Sequence, residues 1–361
     1  MQRRNFIKNV GIASAGVVMG TSLLSNAFGR VPNLPTNWMW MHAKPEWTED
    51  KWLSTLTQLK EANIEGLLLG GGKNMLEKVI PLAEKAGIEV HAWMWTLNRN
   101  GDEEAWKHPD WFAVSREGKS CHEHQPYVEY YKWTCPSKKE VREHIEAQVR
   151  ELAQIEGLKG VHLDYVRYAD VILPIALQPK YNLVQDKEYP EFDFCYCPTC
   201  QQKFKEEYGK DVMKLEDPTA DADWRQYRYD SVTRLVNHLY KVTHEYDKLL
   251  SAAVFPQPDL ARKICRQSWD DWSLDMIFPM LYQNFYSEEL DWVKSSAKKG
   301  VKALDGKFPL YAGLFIPSIE ATDFDEALKM AKKGGAKGVS VFDLNSMTTA
   351  HWDALKQRSV R

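Results

Sequence analysis

Short apolar runs rich in β-forming residues alternate with stretches of helical spacing from residue 37 almost to the C-terminus. The runs are NWMWMHA (37–43), IEGLLLG (64–70), IEVHAWMW (88–95), KGVHLDYV (159–166), LLSAAVF (249–255), DMIFPMLY (275–282), PLYAGLF (309–315) and KGVSVFD (337–343). Between them, segments 48–63, 74–87, 137–154, 222–248, 287–300, 323–335 and 348–358 repeat apolar residues at three- and four-residue intervals, which predicts helices. Thr48 is placed to cap the first of these and Gly87 to end the second. After the fifth run only PDLARKICRQ, within 258–272, offers a helix, and it is the poorest of the set.

Strict alternation of strand and helix predicts a parallel sheet, and eight units predict its closure into a (β/α)8 TIM barrel. The segments after the third and fourth strands, roughly 96–136 and 168–221, far exceed the usual connection in α/β units. The helix-to-strand turns (ANI, AGI, GGAKG) are tight. Enlarged loops therefore gather on the C-terminal face, where barrel enzymes carry their chemistry.

Side chains alternate along a strand, so in GVHLDYVRY (160–168) His162 and Asp164 share the face toward the barrel axis, while Val161 and Leu163 face the helices. The same test sends His91, Trp93 and Trp95 inward from the third strand, and Trp38, Trp40 and His42 inward from the first. Asp164 then lies near the C-terminal end of the fourth strand. A carboxylate there must be hydrated, paired or functional. Arg167 or His162 would be its partner in a structural role.

Asp343 closes the eighth strand at the same level, Tyr282 and Gln283 end the sixth, and Gln257 follows the fifth. Two carboxylates across a barrel mouth, with aromatic rings and amides around them, suit the hydrolysis of a glycosidic bond. In that reading Asp164 attacks or stabilises the anomeric carbon and Asp343 is the first choice for the proton donor. His42, His91, Trp93, Trp95, His162, Arg167, Tyr282 and Gln283 would line the sugar site, with Arg167 orienting Asp164 or a substrate hydroxyl and, as a neighbouring cation, keeping Asp164 ionised. Loop carboxylates Glu123, Asp270, Asp271, Glu288 and Glu320 are alternative acids.

Composition adds to this picture in two places. The 14 Trp and 16 Tyr supply flat faces on which sugar rings can stack. A formal net charge of −3 leaves no electrostatic footprint for nucleic acid. At the N-terminus, QRRNFIK (2–8) precedes a mildly apolar stretch interrupted by Gly11, Gly16 and Gly20, and Ser25-Asn26-Ala27 supplies small residues for cleavage. Residues 1–27 thus read as a signal for the twin-arginine export machinery, and 28–361 as one barrel domain. The expected destination is the periplasm or the exterior, without stable membrane insertion after cleavage.

Three of the six cysteines, Cys195, Cys197 and Cys200, form a C-x-C-x2-C knuckle in CYCPTC. With Cys121 or Cys135 as a fourth ligand it would hold a structural zinc. Disulfides are the alternative in an exported protein, and catalysis by the carboxylates needs no cofactor. His122 and His124 in CHEHQ are a lesser metal-binding pair, which would make the protein a metal-dependent hydrolase.

GVHLDYVRY, WTCPSKKEVREHI (133–145), WDDWSLDMIFPMLY (269–282) and GVSVFDLNSM (338–347) together resemble the family-10-like glycosyl hydrolases, across most of the chain from the first strand to the eighth. The resemblance implies an exported bacterial (β/α)8 glycosidase acting on cell-wall or other polysaccharide. The carboxylate on the fourth strand is also similar in position to the nucleophilic Asp of α-amylase and α-galactosidase barrels, which implies a nucleophile at Asp164. The paired glutamates of β-glycosidase barrels have no counterpart at the ends of the fourth and seventh strands. Because a barrel alone does not establish chemistry, a non-catalytic carbohydrate-binding barrel is the alternative.

Overall fold

The computed structural model describes residues 34–357. The expected export signal, residues 1–27, lies outside the described residues.

The described residues form eight strands: β1 (Asn37–His42), β2 (Gly66–Gly70), β3 (Glu89–Trp95), β4 (Gly160–Asp164), β5 (Leu249–Val254), β6 (Met276–Pro279), β7 (Tyr311–Phe315) and β8 (Gly338–Phe342). Ten helices accompany them: α1 (Glu49–Glu61), α2 (Gly72–Ala86), α3 (Glu103–Trp106), α4 (Lys139–Ala153), α5 (Pro198–Tyr208), α6 (Ala222–His244), α7 (Pro258–Cys265), α8 (Asp291–Leu304), α9 (Ala321–Lys333) and α10 (Thr349–Gln357). The strands lie in the order β6-β5-β4-β3-β2-β1-β8-β7. All of these pairings are parallel. Parallel bridges Ile277–Leu310 and Met280–Gly313 join β6 to β7 and bring the sheet round into the expected (β/α)8 barrel.

Local signals act where the sequence puts them. The Thr48 side chain accepts from Lys51 N at 3.3 Å, and Trp52, Leu56 and Leu59 bury one face of α1. Gly87 ends α2 in the left-handed region at φ 70°, a conformation glycine adopts without steric cost.

The two faces of each strand meet different chemistry. Met39, Met41, Leu67, Val90, Val161 and Leu163 join Trp52, Leu56, Val79 and Ile80 of the surrounding helices in one apolar cluster. Truncating a member such as Leu163 to alanine would cost about 2–5 kcal/mol.

The inward face is aromatic, where barrels more commonly pack branched aliphatics. The Trp38 ring meets His91, Phe278 and Tyr311 at centroid distances of 4.8, 5.5 and 6.0 Å. Trp40 meets His162 at 4.8 Å one layer higher. So large a ring fits because Gly66 lies beside it; a Cβ there would stand 2.3 Å from Trp38 Cε3.

The long loops of β3 and β4 are built as one unit. Bridges Asn98–Trp133, Phe112–Thr134 and Val114–Ser120 fold the first loop on itself, and Ser115–Phe194 ties it to the second. Helix α5 within the second loop was not expected from apolar spacing. Its terminal signals are nevertheless present in the sequence, with Pro198 in its first turn and Gly209 at φ 70° just past its end.

Candidate active site

Strand β4 ends at Asp164, and Tyr165 turns the chain there in the left-handed region at φ 49°. Such a conformation is costly for a non-glycine residue and gathers at functional sites. The Tyr165 N–H donates to Asp164 Oδ1 at 2.7 Å, and Trp93 Nε1 on neighbouring β3 donates to Asp164 Oδ2 at 3.0 Å. The carboxyl is only 9% exposed. Burial pushes its pKa up to about 6; the two hydrogen bonds and the more distant Arg167 oppose that rise without cancelling it.

Arg167 is engaged elsewhere. Its Nη1 donates to Asp170 Oδ2 at 3.1 Å and to Tyr168 O at 2.9 Å. The guanidinium lies 4.8 Å from the ring centroids of both Trp133 and Phe255. The expectation that Arg167 orients Asp164 and keeps it ionised is thereby corrected: the arginine belongs to Asp170, and dehydration governs Asp164. His162 is not the partner either, since its Nδ1 pairs with Ser251 Oγ at 2.8 Å.

Above Asp164 lies a cavity of about 390 Å³. Six expected residues reach its wall: His42, Trp93, Trp95, Asp164, Arg167 and Tyr282. His42 is exposed at the rim and lies over Trp93 with centroids 4.4 Å apart. Its pKa is lowered by partial burial and by Lys44, against an opposing pull from Asp343.

His91 and His162 are fully buried and absent from the wall, because on their strands they precede Trp93 and Asp164 by two residues and lie one layer deeper. Gln283 is buried off the wall as well. Asp343 is also not a lining residue; its Oδ1 accepts from Ser346 N at 3.1 Å and Ser346 Oγ at 2.9 Å, capping the turn at 344–346. Phe342, the last residue of β8, reaches the wall, while Asp343 lies just past the strand and caps the turn that follows. None of Glu123, Asp270, Asp271, Glu288 and Glu320 lines the cavity, and Arg262 pairs with both Asp270 and Asp271.

Other wall residues were missed at the sequence level. Asp170 is the second carboxylate on the wall, and Tyr127, Tyr130, Tyr131, Tyr165, Tyr181 and Tyr286 make much of the remainder. Tyr127 donates to Asp170 O at 2.8 Å, accepts from Gln185 Nε2 at 2.9 Å and stacks on Phe192 at 4.3 Å. The crowded tyrosines of YVEYYK (127–132) and the three-residue spacing of Arg167 and Asp170 were the available signals.

This chain is similar in fold to solved glycoside hydrolase barrels. The glycoside hydrolase domain of PgaB (BpsB) from Bordetella bronchiseptica superposes with a TM-score of 0.65 at 12% identity, over 89% of this chain and 98% of that one. The catalytic domain of β-amylase from Paenibacillus polymyxa gives 0.58 at 11% identity, over 90% and 97%. For β-galactosidase from the psychrophilic Marinomonas ef1 the values are 0.61 and 10%; this chain aligns over 89% of its own length and spans 58% of that protein. No family model matches the sequence, and no curated protein does. Identities this low establish a shared barrel, in which the end of β4 and the loops above it form the mouth.

The thiols gather outside the cavity. Cys135, Cys195, Cys197 and Cys200 are buried with their sulfurs all within 4.8 Å of one another, which selects Cys135 over Cys121 as the fourth member. Among the described residues His122 and His124 belong to no such convergent group. His122 packs against Trp106 and Phe112, with ring centroids at 4.7 and 5.0 Å.

Proposed function

We propose that the protein is a glycoside hydrolase in which Asp164 gives the proton to the departing glycosidic oxygen. The observation that carries this reading is a dehydrated carboxyl with its pKa raised to about 6, at the end of β4 and on the wall of an aromatic cavity. An acid must still hold its proton near the working pH, which burial achieves and a neighbouring cation would prevent. The assignment reverses the role that the resemblance to α-glycosidase barrels implies.

As the C–O bond breaks, positive charge grows at the anomeric carbon. Asp170 is the carboxylate available on the wall to balance it, in place of Asp343. Trp93, Trp95 and the tyrosines offer faces to the sugar rings. The glycoside hydrolase neighbours support a carbohydrate substrate, and the chain's resemblance to family-10-like enzymes favours cell-wall or other polysaccharide.

Incubating the full chain with bacterial cell-wall and exopolysaccharide fractions tests the proposal through released reducing ends and product masses. Wild type should release products and Asp164→Asn should not. Binding without cleavage across that panel would make the molecule a carbohydrate-binding barrel instead.

Export is proposed on sequence alone, from Arg3 and Arg4 before the apolar stretch. Replacing both by lysine should retain the protein in the cytoplasmic fraction. Among the described residues no helix is long and apolar enough to cross a membrane.

A further inference from the structure

The four thiols sit on two loops that the chain sequence keeps far apart. Cys135 precedes α4 at the end of the β3 loop, with its N–H on Trp111 O at 2.9 Å. Cys197 is the N-cap residue of α5, Cys200 lies in its first turn, and Cys195 stands two residues before the cap. All four are at most 1% exposed.

Sulfur spacing separates the candidate occupants. Cys135 Sγ lies 3.4 Å from Cys200 Sγ and 3.7 Å from Cys197 Sγ. A tetrahedral zinc with bonds of about 2.3 Å places its sulfurs about 3.8 Å apart, whereas a disulfide needs about 2.05 Å. The cluster is therefore at the size of one tetrahedral ion. Val114 N–H also donates to Cys195 Sγ at 3.4 Å, the kind of outer contact that steadies a thiolate ligand.

We infer that Cys135, Cys195, Cys197 and Cys200 bind one structural zinc ion, which fastens the β3 loop to the β4 loop beneath the cavity wall. None of the four lines the cavity, so the ion is a staple and takes no part in bond cleavage. The wall residues it steadies are those carried between its anchor points, Tyr127, Tyr130 and Tyr131 on one loop and Arg167, Asp170 and Tyr181 on the other. Four sulfur ligands also favour zinc over oxygen-seeking magnesium or calcium. The inference is independent of the glycosidase reading.

Metal analysis of the purified full chain should give one zinc per molecule, and thiol titration after denaturation with chelator should count six free cysteines. Cobalt substitution should produce the charge-transfer and ligand-field bands of a tetrahedral thiolate site. Cys135→Ser should lose most of the zinc, while Cys121→Ser keeps it. Prolonged chelation should lower the melting temperature by on the order of 10 °C. Two or four missing thiols with no bound metal would overturn the proposal in favour of disulfides, and stoichiometric iron would overturn the zinc assignment. If Cys135→Ser does not fold, the wild-type zinc content, thiol count and cobalt spectrum still decide.

Discussion

Asp164 and Asp170 stand six residues apart and line the same cavity, yet their surroundings are opposite. Asp164 ends a strand, is held by an indole N–H and a backbone N–H, and has no cation in contact. Asp170 lies on the loop beyond and bonds a guanidinium that is itself enclosed by Trp133 and Phe255. For Asp164, burial without a counter-charge favours the neutral acid. One short stretch thus supplies two carboxyls in different company, one dehydrated and without a cation in contact, the other in an ion pair with Arg167.

The sharpest way to break this comparison is to neutralise each carboxyl in turn. Asp164→Asn should lower kcat/KM on a cleaved glycan by about 10²–10⁴-fold, the scale of losing a positioned acid. Activity within tenfold of wild type would remove Asp164 from the chemistry.

Stability should move in opposite directions for the two variants. Asp170→Asn strands a buried arginine and should cost about 3–5 kcal/mol by denaturant unfolding. Asp164→Asn should stabilise the fold at pH 8 by up to about 3 kcal/mol, since a carboxyl raised from 3.8 to about 6 penalises the ionised folded state by roughly that amount. The sign follows from the raised pKa: the penalty is absent below the unfolded value, grows between about pH 4 and 6, and persists above. At pH 4 the gain should largely vanish.

The pH–rate profile then sharpens the role. With Asp164 as acid, kcat/KM should fall as pH rises through about 6. A rise through the same pH would restore the nucleophile assignment.

Smaller effects test the frame around the pair. Tyr127→Phe removes the bond to Asp170 O and should cost about 1 kcal/mol, with a larger change in KM than in kcat. Asp343→Ala should lose a cap worth about 1 kcal/mol and keep activity within a few-fold. A thousandfold loss there would return Asp343 to the role of proton donor.

What the sequence determined by itself was the periodic part. Alternating strands and helices specified the closed barrel, and the two-residue period specified that Asp164, Trp93 and Trp95 point inward near the mouth, because each rests on local geometry. Depth was less legible: His91 and His162 share that inward face but lie a layer below the cavity. Asp343 lies just past the end of β8 and caps the next turn, where the two-residue period no longer sets the direction of a side chain.

The tertiary structure decided the pairings. Arg167 stands three residues from both Asp164 and Asp170, and the left-handed turn at Tyr165 and the fold of the loop deliver it to Asp170. Whether Asp164 is charged depends on how much water the tyrosines of two separate loops exclude. Likewise the choice of Cys135 to join a knuckle 60 residues further on depends on loops that meet only in space. A contact across such a sequence distance leaves no period in the chain, and spacing alone does not choose between two equally near partners, so charge state, the choice of ion pair and the ligand set appear only once the loops are folded over the barrel.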